Sequence, residues 1–435
     1  MHKAVNHRSW SETFKVYLQP RVISLVTLGF SSGLPFLLVF STLTAWLAEG
    51  DVSRSAIGFF AWVGITYSVK VLWAPVVDTV PVPWLTGAFG QRRGWMLAGQ
   101  LGISVGLILM AFIGPGDLLV LGLAALLVAF SSATQDVAID AYRIESADPE
   151  YQGAMSAAYV FGYRLALLVA GAGALYLADF FSWPVAYVMM ACLMSIGAGT
   201  VLLVAEPLRE RVTDAPGFSL PGMRQWFQAA VVGPFVDFFQ RNQKNALAIL
   251  VFIAVFRLSD IAMGIMANPF YLDMGFTKTE IANIAKVFGF FMTIAGSFVC
   301  GALVVKWGLM RPLLIGAVAV ASTNLLFAGL SQMEPEVVFL AVVISADNLS
   351  GGFAATAFIA FLSSLTNRAY TATQYALFSS LMTLPGKFIS GFSGIVVDSL
   401  GYFEFFVLAA MLGIPAVLLV IYLERVMGPS HSGGD

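Results

Sequence analysis

Apolar residues in this chain run in stretches long enough to cross a bilayer, separated by short polar segments. A helix rising 1.5 Å per residue needs about 20 apolar residues to span the hydrocarbon core. Twelve segments meet that length: 23–48, 55–76, 94–113, 117–141, 153–179, 183–205, 245–271, 278–304, 309–330, 335–365, 371–398 and 402–425. The junctions at 113–117 and 330–335 leave room only for tight hairpins. The longest polar segment, 206–244, carries Pro216 and Pro221. Within it Trp226, Phe227, Val231, Val232, Phe235, Phe238 and Phe239 alternate with Arg224, Gln228, Asp237, Gln240 and Arg241. That pattern predicts an amphipathic helix lying on a membrane surface. The chain then reads as a segment 1–22, a six-span half 23–205, the linker 206–244, a second six-span half 245–425 and a tail 426–435.

Composition agrees with lipid as the solvent. Apolar residues make up 59% and charged residues 11%, against roughly a quarter charged in a soluble domain, and mean hydropathy is +0.84. A net charge of −2 without a basic tail gives no reason to expect a nucleic-acid partner. Cys192 and Cys300 sit inside apolar runs and form neither a disulfide framework nor a metal site. The histidines His2, His7 and His431 are all terminal, so no catalytic constellation is evident. No enzyme activity, metal or cofactor is expected. The first apolar run, followed by further spans, reads as a retained anchor.

Basic residues set the orientation. Lys3, Arg8, Lys15, Arg21, Arg92, Arg93, Arg143, Arg209, Arg211, Arg224, Arg241, Lys244, Lys306, Arg311, Arg368 and Arg425 fall on one side, and only Arg54 and Lys278 on the other. An even span count then puts both termini in the cytoplasm. The halves also resemble each other. Gly50, Ser53-Arg54-Ser55 and Ile57 align with Gly275, Thr277-Lys278-Thr279 and Ile281, and Tyr151 and Asp179 match Tyr370 and Asp398 at one constant offset. A parallel six-plus-six repeat is the layout of the major facilitator fold, an all-α membrane protein of twelve helices whose solute site lies near the midplane.

Five basic residues fall inside spans: Lys70, Arg164, Arg257, Lys286 and Lys387. Each costs about 2.5–3.5 kcal/mol at a helix centre on insertion scales, so each needs a partner or a watery cavity. The acids inside spans are Asp136, Asp140, Asp260 and Asp347. The small positive excess points weakly to an anionic or zwitterionic solute. Helical spacing groups Asp136 with Asp140 and Arg143, Tyr67 with Lys70, Arg257 with Asp260, and Asn283 with Lys286. Arg257–Asp260 and Asp140–Arg143 also fit plain structural pairs, and Lys387 after Pro385-Gly386 also fits capping of freed carbonyls. A carboxylate that carries a coupled proton must pass between charged and neutral forms at working pH. Asp136 and Asp140 are the first candidates for that role and Asp347 the next. Gly33-Leu-Pro35, Pro75, Pro269 and Pro385-Gly386 interrupt the backbone ladder and mark hinge candidates.

The segments Gly29-Phe-Ser-Ser-Gly-Leu-Pro35, Trp73-Ala-Pro-Val-Val-Asp78, Arg92-Arg-Gly-Trp95 and Gln135-Asp-Val-Ala-Ile-Asp140-Ala together resemble the AmpG family of muropeptide permeases. The match is close over spans one to five and looser beyond. The resemblance implies proton-driven import of anhydromuropeptides (GlcNAc-anhydroMurNAc and its peptides) across the bacterial inner membrane for peptidoglycan recycling. It implies protons and the muropeptide as partners, with lipid around a chain expected to act as a monomer. Lys70, Arg164, Arg257, Lys286 and Lys387 suit peptide carboxylates, Gln135, Tyr67, Asn283 and Asn348 suit amide and sugar groups, and Asp260 beside Arg257 is a further substrate-site candidate. Asp78 with Arg92 and Arg93 resembles the gate latch of major facilitators, on a loop holding Pro81, Pro83 and Gly90. A related branch that carries acetyl-coenzyme A is the nearest alternative. A membrane-embedded enzyme or a structural membrane protein stands further off.

Overall fold

A computed structural model describes residues 15–50, 52, 60–208, 220–390 and 392–426. Among these, secondary structure is helical throughout, and eleven helical paths are long and apolar enough to cross a membrane. The predicted span 55–76 begins outside the described residues. Its described part is broken into short helices, including α3 (Ile65–Ser68) and α4 (Ala74–Thr79), with 3-10 turns around Lys70. Pro75 supplies a reason: it has no N–H, and its ring crowds the preceding turn.

The described residues form two compact units, one from within 17–238 with 365–380, the other from within 15–16, 239–364 and 381–426. In the first unit, α1 (Pro20–Leu38), α2 (Ser41–Glu49), α5 (Gln91–Ile113), α6 (Leu118–Glu145), α7 (Gln152–Leu168), α8 (Ala174–Phe180) and α9 (Trp183–Leu203) enclose a core built on Leu34, Trp46, Leu107, Val128, Tyr187 and Met190. The turn Gly114–Gly116 makes the predicted 113–117 hairpin, with Gly114 at φ 60°. α1 and α7 touch backbone to backbone. A Cβ added at Gly162 would lie 1.8 Å from the Val26 carbonyl oxygen, and one at Gly29 2.2 Å from that of Tyr159. Lipid does not drive apolar helices together, so small residues that allow such contact supply the packing.

The linker forms α10 (Leu220–Phe227) and α11 (Gly233–Asn242), joined by a π turn, and runs through a 3-10 turn straight into the next span. Phe227, Phe235 and Phe239 are exposed as an interfacial helix requires. Phe238 is buried against Phe378, and Trp226 donates to the Thr79 hydroxyl at 2.9 Å. Those two aromatic side chains bind protein, where the pattern alone gives them to lipid.

In the second unit, α12 (Ala246–Phe256), α13 (Leu258–Asp273), α14 (Gly289–Trp307), α15 (Met310–Leu330), α16 (Val337–Leu365), the later part of α17 (Thr371–Ser390), α18 (Ser393–Leu400) and α19 (Tyr402–Val426) carry the spans. One core gathers Phe270, Tyr271, Phe327, Ile344 and Phe406. Thr277 and Glu280 form a capping box before α14. The repeat is visible locally: Asp148 and Asn367 are extended, a 3-10 turn ends on Tyr151 or Tyr370, and a long helix follows.

Candidate functional site: a charged helix and a buried latch

α6 carries Asp136, Asp140, Arg143 and Glu145, which cover roughly 14 Å of its axis. Ser32 donates to Asp136 at 2.5 Å, and Ser32 also lies 2.7 Å from the Tyr159 hydroxyl. Asp140 sits between two cations, with Lys70 at 3.9 Å and Arg143 at 3.4 Å. Tyr67 packs against Phe36 and Phe40, its hydroxyl beside that of Ser132. The structure thus brings together Tyr67, Lys70, Asp136 and Asp140.

One expected pairing gains further partners, and one solute assignment changes. Arg143, counted above among the basic residues of one membrane side, is 0% exposed. Asp140, Gln152 and Ser156 accept from it, and its guanidinium stands 5.2 Å over the Tyr375 ring. Gln135, assigned to a solute, is also 0% exposed. It donates to the Ser31 carbonyl at 3.0 Å and accepts from the Ser31 hydroxyl at 2.8 Å. The reason lies four residues on: Pro35 has no N–H to give that carbonyl, and Gln135 replaces the missing donor.

Asp78 and Arg92 meet at 2.8 Å, both buried. Arg92 also donates to both oxygens of Glu145, at 2.6 Å for the shortest contact. Glu145 was not among the sequence candidates; only the meeting of the α6 end with the α5 start reveals it. Asp78 further accepts from the Ala372 N–H at 3.1 Å, the Thr373 N–H at 2.8 Å and the Thr373 hydroxyl at 2.7 Å. A carboxylate here satisfies free N–H groups of the first turn of α17 and complements the helix dipole. Asn367 and Gln374, flanking that turn, donate to Asp237 of α11 at 2.9 and 2.8 Å.

Arg93 takes a different part from Asp78 and Arg92. It donates to the carbonyls of Val201 and Leu202 at the end of α9, while Glu206 just beyond accepts from the Arg92 and Arg93 N–H groups at the start of α5. Each helix end is capped by a side chain from the other. Gly90, at φ 97°, leaves no room for a side chain: a Cβ would lie 2.4 Å from Glu206.

In the second unit Arg257 pairs with Asp260, both partly exposed. Asp347 accepts from the Thr323 hydroxyl at 3.4 Å. Asn348 accepts from Thr293 at 3.1 Å and donates to the Ile344 carbonyl at 3.0 Å, so its amide is engaged between helices. Asn283 and Lys387 are exposed, as is Arg164 in the first unit. The Lys286 side chain lies outside the described residues.

Residues 23–390 match the Major Facilitator Superfamily. The putative transporter AmpG 4 of Rickettsia felis is 34% identical over 416 residues, covering 94% of this chain and 98% of that one. The anhydromuropeptide permease of Escherichia coli K12 is 34% identical over 420 residues, covering 96% of this chain and 82% of its own. The fold is similar to that of the proton:xylose symporter XylE, with a TM-score of 0.63 at 12% identity, covering 95% of this chain and 96% of that one. The human organic anion transporter MFSD10 gives 0.62 at 13% identity, with 95% and 100% covered. This multi-pass membrane protein, a transporter of small molecules and not an enzyme, belongs to the AmpG family of the Major Facilitator Superfamily.

Proposed function

We propose that the chain imports anhydromuropeptides into the cytoplasm across a bacterial inner membrane, driven by protons and with both termini cytoplasmic. The single observation that carries the coupling is α6 itself. One helix holds two membrane-embedded carboxylates in its C-terminal half, Arg143 beneath them and Glu145 in the latch at its end. Protonation of Asp140 removes the charge that pairs with Arg143, whose guanidinium otherwise faces both Asp140 and the Tyr375 ring of α17. The proton state of Asp140 is in this way tied to the first turn of α17. That turn must leave Asp78 before a path beside it opens. The relative named anhydromuropeptide permease, 34% identical over 420 residues, supports the choice of solute. Arg164 and Lys387 are basic groups suited to its carboxylates, with Arg257 and Asp260 as a further polar pair; the amides of Gln135 and Asn348 are left out because other helices engage them.

The test replaces Asp136 and Asp140 by Asn, one at a time, in proteoliposomes. The reading expects at least one variant to exchange labelled anhydromuropeptide across the membrane while failing to accumulate it against its gradient. Wild-type accumulation in both variants overturns the coupling role.

A further inference from the structure

Three helices converge on Ser32, and the hydrogen count there is tightly constrained. The Ser32 oxygen lies 2.5 Å from Asp136 Oδ1 and 2.7 Å from the Tyr159 hydroxyl. A serine hydroxyl has one hydrogen and two lone pairs, and an ionised carboxylate only accepts. With Asp136 charged, Ser32 gives its one hydrogen to Asp136, so Tyr159 must be the donor to Ser32. The Tyr159 oxygen then offers its surroundings lone pairs alone. With Asp136 protonated, the carboxyl O–H donates to Ser32, Ser32 turns its own hydrogen to Tyr159, and the Tyr159 O–H is released to point elsewhere.

The geometry points to Tyr159, through Ser32, as the residue that converts the proton on Asp136 into a hydrogen-bond donor for the solute. Resting on the proton-coupled reading above, it assigns Tyr159 a specificity role that the sequence motifs do not. Nothing is oxidised or transferred away: one proton binds Asp136 and two hydroxyl hydrogens reorient. Tyr159 is partly exposed, whereas Ser32 is buried. The chain is rigidly placed, because α1 and α7 meet through Gly29 and Gly162 with no space for a Cβ. The other titratable groups facing Asp136 are Lys70, Tyr67, Asp140 one turn along α6, and Tyr163 one turn along α7. None of them bonds Ser32, so they bias the proton on Asp136 without reversing the hydroxyl chain. The solute group served is an acceptor, a carbonyl or carboxylate oxygen, and its affinity must rise when Asp136 is protonated. Linkage requires the reciprocal effect: solute binding favours the protonated carboxyl.

The test measures binding of a GlcNAc-anhydroMurNAc-tripeptide to the purified full chain across a pH series. Wild type should bind about tenfold tighter on the acidic limb, the worth of one hydrogen bond. Tyr159→Phe should bind at the weak level at every pH. Ser32→Ala, which takes away the acceptor that occupies the Tyr159 O–H, should bind at the tight level at every pH, and Ser32→Thr, which keeps the hydroxyl, should keep the pH dependence. A Tyr159→Phe protein and a Ser32→Ala protein that keep the wild-type profile overturn the relay while leaving proton coupling intact. A wild type and an Asp136→Asn variant that share one flat profile overturn both.

Discussion

The Asp78 carboxylate accepts the Thr373 N–H at 2.8 Å and the Thr373 hydroxyl at 2.7 Å, joining residues 295 positions apart. The contact ties the end of α4 to the first turn of α17, and Arg92 holds the same carboxylate from the other side. Asp78→Asn keeps the shape but removes the charge that faces the helix N-terminus. In a background with Cys192 and Cys300 replaced by Ser, a cysteine at Ala372 should react with a water-soluble maleimide about tenfold faster in Asp78→Asn, since hydrogen bonds to a charged group contribute about 1.5–3 kcal/mol each. An unchanged labelling rate contradicts the latch.

Arg92 is the sole cation bonded to both Asp78 and Glu145 among the described residues. Arg92→Met would leave two carboxylates facing each other away from water. Breaking a buried pair by removing one partner costs about 3–5 kcal/mol, so this variant should melt well below wild type in detergent. Arg92→Met combined with Glu145→Gln and Asp78→Asn should recover much of the loss. Equal melting temperatures for single and triple variants would argue against a charge-balanced triad.

The contact of α1 with α7 makes a steric prediction. Gly162→Ala places a methyl group on the Val26 carbonyl, and overpacking of this kind costs about 1–3 kcal/mol. Gly199→Ala meets nothing within 4 Å and should be silent. Thermal unfolding of the two variants in parallel decides the matter; matched curves contradict the described packing.

How much of this was legible beforehand depended on the type of signal. Span positions follow from apolar runs, which lipid dictates residue by residue, and the Asp78–Arg92 pair sits on a recognisable loop. Glu145 was not legible, because its partner approaches from a helix 53 positions earlier and an acid at a span end reads as solvated. The Asp140–Arg143 pair was legible from the i,i+3 spacing, but the partners that bury Arg143 (Gln152, Ser156 and the Tyr375 ring) come from other helices and were not. Gln135 had a local clue, since Pro35 orphans the carbonyl of Ser31, but the sequence does not say which helix supplies the donor. Asn348 carried no such clue before α14 brought Thr293 to it.

Arg164 and Lys387 are exposed cations on membrane helices and are assigned to solute carboxylates. Arg164→Gln and Lys387→Gln should each raise the apparent KM for anhydromuropeptides with an intact peptide by about tenfold or more, the worth of a charge-assisted hydrogen bond. The peptide-free disaccharide should be affected far less. Equal effects on both ligands would mark these residues as structural.

The central claim is proton-driven import of anhydromuropeptide, and its most direct measurement is uptake by proteoliposomes under an imposed pH gradient. With the lumen alkaline, labelled GlcNAc-anhydroMurNAc-peptide should accumulate inside above its external concentration, collapse on addition of a protonophore, and go uncontested by excess acetyl-coenzyme A. Equilibration without accumulation, at a rate indifferent to the gradient, would contradict the account.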